Sequence, residues 1–176
     1  MPMNPSIAER ETFGRPGTDP SLDPYDDDLI RETDLPTAAL IGRLLIAAIF
    51  LTSGLAKLTD TPGTVAHMTA MGIPYADTLA LVAGGAEVLG AIAIITGFLT
   101  RAASLGLILF MIPTTLIFHA FWNYEGADRM PQIVNFMKNV AITGGLAVLM
   151  GRGAGRFSLD HRIRRARARR RARRDV

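Results

Sequence analysis

Six residues of this chain could do chemistry together: Arg43, Lys57, Glu87, His119, Lys138 and Asn139. Each lies within, or at the edge of, a long apolar stretch, where polar groups are costly, tend to face inward, and mark sites. Glu87 is the hardest to treat as ordinary. A carboxylate near the middle of such a stretch reaches neither surface, so it is either protonated or paired, with Lys57 or Lys138 as partner. Histidine titrates near neutral pH, so Glu87 and His119 together could move protons. The cations outnumber the carboxylate, and a quinone carbonyl, a small anion or a lipid phosphate would relieve the surplus charge. Plainer readings stand beside this one. Lys57 and Arg43 could snorkel to the two interfaces, His119 could be a packed histidine, and one Glu–Lys pair could serve only to set helix register.

The elements that must position these groups are four apolar runs, over 36–58, 76–97, 102–122 and 133–150. Each is near the ~20 residues that a ~30 Å hydrocarbon core requires. The pattern predicts an all-α membrane protein, a polytopic four-helix bundle of up-down-up-down topology. At 1.5 Å per residue, Lys57, Glu87, His119 and Lys138 share one half of the bilayer, each on a different helix, with Arg43 alone toward the other end. Gly54, Gly84-Gly85-Ala86 with Gly90, and Gly144-Gly145 suit close helix approach. In the first connection, proline and glycine bracket 64–71, predicting a short interfacial helix with Val65, Met68 and Met71 near one face.

Composition excludes several chemistries. There is no cysteine, which removes disulfide exchange, thiolate metal sites and thiol nucleophiles. Only His67, His119 and His161 are present, so a haem held by two facing intramembrane histidines is not expected, nor is a metal site. No covalently bound cofactor is expected, and no autonomous catalytic site is evident.

Charge divides the chain into three domains. Residues 1–35 carry nine acidic and three basic groups and read as a disordered tail. Residues 36–150, the membrane domain, are balanced at five of each, and 151–176 hold eleven arginines against Asp160 and Asp175. Cytoplasmic flanks favour Lys and Arg, which places both termini in the cytoplasm. Arg162, Arg164, Arg165, Arg167, Arg169, Arg170 and Arg171 would then lie on anionic lipid headgroups. Nucleic acid is disfavoured, since the segment has no aromatic residue for stacking on bases.

The ordered set Arg43, Phe50, Ser53-Gly54, Lys57-Leu58, then Gly72-Ile73-Pro74, Glu87 with Gly90, Thr96-Gly97, Thr100-Arg101, His119 and Lys138-Asn139 resembles the DoxX family over most of residues 36–150. The resemblance implies a four-helix bundle in the bacterial cytoplasmic membrane. It also implies links to quinol oxidation, thiosulfate:quinone electron transfer or responses to oxidative stress. The leading expectation is therefore a quinone-interacting or redox-linked accessory subunit, acting with a protein partner or as a homo-oligomer. The alternatives are a non-enzymatic subunit of a larger membrane complex, and a carrier of small anions or lipids.

Overall fold

The computed structural model describes residues 36–172; the acidic segment 1–35 and the last four residues lie outside them. Among the described residues the fold is entirely helical. Helix α1 (Pro36–Thr59) opens on a proline, whose preset φ and missing N–H suit a first helical position. One residue later α2 (Thr61–Ala70) begins, capped by Asp60, whose side chain accepts from the Gly63 N–H at 3.0 Å. Helix α3 (Ala76–Thr96) ends at Gly97, which adopts the left-handed conformation that glycine tolerates best. Helix α4 (Thr100–Phe118) follows, then two 3-10 turns (Phe121–Asn123 and Gly126–Asp128). Helix α5 (Arg129–Arg152) and a basic helix α6 (Leu159–Ala172) complete the described residues.

The four long helices are apolar and long enough to span a membrane. Their outward faces confirm what surrounds them. Leu45, Leu89, Leu109 and Val148 are each at least 60% exposed, a surface that water would not tolerate over a whole bundle. The interior holds Arg43, Glu87, Thr100, Ser104, Thr115 and Asn139 alongside its apolar core. Polar groups turned inward and leucines turned outward are what a bilayer selects. The protein is a membrane protein.

Helix α5 starts four residues before its apolar run, and the short helix of the first connection starts at Thr61 rather than 64. Val65 and Met68 pack with Ala76, Ala80 and Ala83, as their spacing predicts, whereas Met71 remains exposed. The segment after Met150 is more than a charged tail. Residues 153–158 fold back against the bundle, and α6 follows from them.

The closest helix pair is α1 with α3. A Cβ added at Gly54 would lie 2.8 Å from the Gly84 carbonyl oxygen and 2.9 Å from Glu87 Cβ, so only glycine permits this approach. Helix α4 bridges α3 to α5. Contacts between α5 and α1 are the sparsest of the four neighbouring pairs, with Ile46 against Gly145 toward the α6 end. The bundle is thus tight along one seam and loose along the other.

Gly54→Ala should separate α1 from α3, because the obstruction is backbone and cannot rotate away. We expect a loss of about 1–3 kcal/mol in stability, typical of overpacking. Gly85→Ala, which meets nothing within 4 Å, should be neutral or mildly stabilising. Thermal unfolding of the two variants in detergent micelles checks the contrast.

Candidate functional site

The α1–α3 contact brings Glu87 against α1. Lys57 Nζ donates to Glu87 Oε2 at 2.8 Å and to Ser53 Oγ at 2.7 Å, and Ser53 Oγ donates to Glu87 Oε1 at 3.2 Å. Ser53 and Lys57 are one helical turn apart, so both face the same carboxylate. Glu87 is buried and Lys57 only partly so, leaving the ammonium at the edge of open space. Of the two partners the sequence allows for Glu87, the structure chooses Lys57.

That open space is a cavity of about 530 Å³. Five of the six candidate residues line it: Lys57, Glu87, His119, Lys138 and Asn139. His119 follows α4, and its Nδ1 lies 2.9 Å from Gln132 Oε1. An amide oxygen only accepts, so in this orientation Nδ1 carries the proton and a neutral ring keeps Nε2 as an acceptor. Asn139 is buried and donates to Thr115 Oγ1 at 3.1 Å, tying α5 to α4 and holding one of its two amide hydrogens in place. Lys138, one residue away, is exposed and donates only to Asn135 Oδ1 on its own helix, at 3.0 Å. It lines the cavity together with Ile49 and Thr52 of α1. Phe50, Phe110 and Phe118 supply apolar wall.

Arg43 lies elsewhere. It does not line the cavity but is buried toward the other end of the bundle. Its Nη1 donates to the Ala154 carbonyl, and Nη2 donates to Phe157 O at 2.7 Å and Ile95 O at 3.3 Å. The guanidinium fork therefore joins α1, the end of α3 and the α5–α6 linker. Asp160 closes the same knot. Its carboxylate accepts from the Leu99 N–H at 2.9 Å and the Thr100 N–H at 3.1 Å, and its own N–H donates to Gly97 O at 2.9 Å. Leu99 has φ of 50°, costly for a branched side chain, and the two bonds from Asp160 cap α4 in its place.

Comparison with known proteins matches this architecture. The DoxX family model matches residues 38–120. The inner membrane protein YphA of Escherichia coli (strain K12) is 36% identical over 127 residues, covering 72% of this chain and 91% of its own length. The chain belongs to the DoxX family. A second relative, the inner membrane protein YqjF of the same organism, is 36% identical over 122 residues, or 69% of this chain and 88% of that protein. The uncharacterized membrane protein Rv3486 of Mycobacterium tuberculosis is 28% identical over 143 residues, 73% of this chain and 82% of its own. No solved structure matches the chain significantly.

The DoxX family match includes Arg43, Lys57, Glu87 and His119 and stops before Lys138 and Asn139. Three residues of the site escape a reading of the sequence. Ser53 completes the Lys57–Glu87 triangle, Gln132 pairs with the His119 ring, and His67 on α2 stacks on Phe118 at 5.4 Å between ring centroids. A signal existed for His67 and Thr64, which are three apart and so share a face of α2. For Gln132 there was none, because its pairing depends on how α5 begins. Among the described residues no cluster could hold a metal ion.

Arg43→Lys should loosen the knot without touching the cavity. A single ammonium cannot span carbonyls on two separate segments as the planar fork does. Backbone hydrogen exchange over 153–161 should quicken by about tenfold or more, while the Glu87 region of α3 stays protected, as expected for a local opening. Mass-resolved exchange on the two proteins reads both segments at once.

Proposed function

We propose that this DoxX-family protein is a quinone-interacting, redox-linked accessory subunit of an inner-membrane respiratory or oxidative-stress system. The carrying observation is the cavity of about 530 Å³, whose polar groups border aromatic walls and the loose α1–α5 seam. Its volume falls within the ~300–1,000 Å³ usual for small-molecule sites. A lipid-soluble ligand reaches such a site sideways from the bilayer, without crossing water.

The lining fits a quinone head. A quinone presents carbonyl acceptors on a flat ring, and its quinol form presents hydroxyl donors. Lys138 Nζ has hydrogens beyond the one given to Asn135, and Asn139 keeps a second amide hydrogen. Both can donate to a carbonyl oxygen. His119 Nε2 can accept from a hydroxyl, and Phe50, Phe110 and Phe118 offer surface to the ring. The Lys57–Ser53–Glu87 triangle adds polarity with its charge already compensated. A bound quinone would supply two-electron, two-proton chemistry; the residues of this chain bind and orient its head. Electrons would reach a bound quinone from a partner protein.

Charge supports an orientation in which the α6 end, which carries the arginines, faces the cytoplasm and α2 lies at the outer interface. The inner-membrane location is supported by the names of the two Escherichia coli relatives.

Purified protein incubated with short-chain ubiquinone and menaquinone analogues should retain one quinone mass in native mass spectrometry. Lys138→Met removes the exposed cation without breaking an interhelical bond, so it should leave folding intact and weaken retention about tenfold or more, the worth of one charge-assisted hydrogen bond. No retention by the wild type, or equal retention by the variant, would overturn the reading. A co-purifying protein with no retained quinone would favour the assembly role.

A further inference from the structure

At the end of the bundle opposite the cavity, Pro36, Arg156, Phe157, His161, Arg162 and Arg165 surround a second depression of about 350 Å³. We propose that it is a binding site for the headgroup of an anionic phospholipid.

Charge is the first ground. Three arginines and a histidine converge on this depression, and no carboxylate is among its lining residues. The nearest acid in sequence, Asp160, is committed to the Leu99 and Thr100 N–H groups and turned toward the α3–α4 turn. Among the described residues, none of these four side chains forms a salt bridge. Arginine's planar fork matches a phosphate's oxygens bidentately, which a lysine cluster would not do.

Preorganisation is the second. Arg43 holds the Phe157 and Ala154 carbonyls, Ser158 Oγ donates to Gly155 O at 2.7 Å, and the His161 N–H donates to Ser158 Oγ at 3.1 Å. Arg156 and the first turn of α6 are thus fixed on the bundle. Arg162 and Arg165, three residues apart, share one face of that helix.

Position selects lipid over a free anion. Pro36 begins one membrane-spanning helix and Arg152 ends another, so the depression sits at headgroup level. Among the lining residues Phe157, beside the arginines, is 55% exposed. An inorganic anion has no use for this apolar margin, whereas a lipid offers a phosphate to the arginines and a glycerol–acyl shoulder to Phe157.

The full chain in mild detergent would be mixed with equal amounts of phosphatidylglycerol and phosphatidylcholine, and bound lipid counted by native mass spectrometry. The wild type should prefer phosphatidylglycerol by about tenfold or more, as several basic contacts to one anionic head require. The triple variant R156Q/R162Q/R165Q should lose that preference. The triple variant R164Q/R167Q/R171Q removes equal charge from the other side of α6 and should keep it within about twofold. A preference surviving in the first variant, or lost equally in both, would overturn the site in favour of diffuse attraction. Displacement of the lipid by millimolar inorganic phosphate would overturn it in favour of a simple anion site; persistence of the lipid would support it.

Discussion

A carboxylate buried between membrane-spanning helices must be neutralised, and in this protein the neutralising group is Lys57. The pair lies where Gly54 lets the two backbones approach to a distance that a Cβ would block. Electrostatics and sterics reinforce each other here. The ion pair favours the close approach, and the close approach buries the carboxylate while Lys57 keeps its ammonium at the cavity edge. Ser53 takes up the remaining hydrogen-bonding capacity on the α1 side, so the triangle is satisfied rather than merely charged.

The rest of the architecture follows from spending the tightest seam on that triangle. With α1 held to α3, α5 is carried mainly by α4 through Asn139 and Thr115 and makes sparse contact with α1. The cavity occupies that looser side. At the other end the logic is inverted. Arg43 and Asp160 gather backbone groups from three segments into a closed knot, and the basic helix α6 projects from it. One end of the bundle is built to be open and polar, the other to be closed and cationic at its rim.

Much of this was legible in the sequence, for identifiable reasons. Four apolar runs of spanning length translate almost directly into four helices, because lipid leaves the backbone few alternatives. Glu87 announced a group either protonated or paired, since its depth let it reach neither surface, but the partner depends on helix rotation, and Lys57 and Lys138 are both eligible. Arg43 shows the limit of residue-type reasoning. It sits on roughly the same face of α1 as Lys57, fourteen residues away, yet it serves the linker beyond α5, more than a hundred residues on in the chain. Nothing in the Arg/Ala-rich composition of the last segment signalled that residues 153–158 would fold back to meet it. Pairings across long sequence separation, such as Arg43 to Ala154 or Asp160 to Leu99, are written in no local pattern.

The dependence of the fold on the Lys57–Glu87 pair can be measured by a double-mutant cycle. Lys57→Met, Glu87→Met and the combined variant would be compared by unfolding midpoint in one detergent. Each single change leaves an unpartnered charge between helices, whereas the double change replaces both charges with apolar groups of similar length. The account predicts non-additivity: the combined variant recovers more than half of the summed loss, with a coupling of at least about 1 kcal/mol. Losses that add to within about 0.5 kcal/mol would show that the two side chains act independently, and would contradict it.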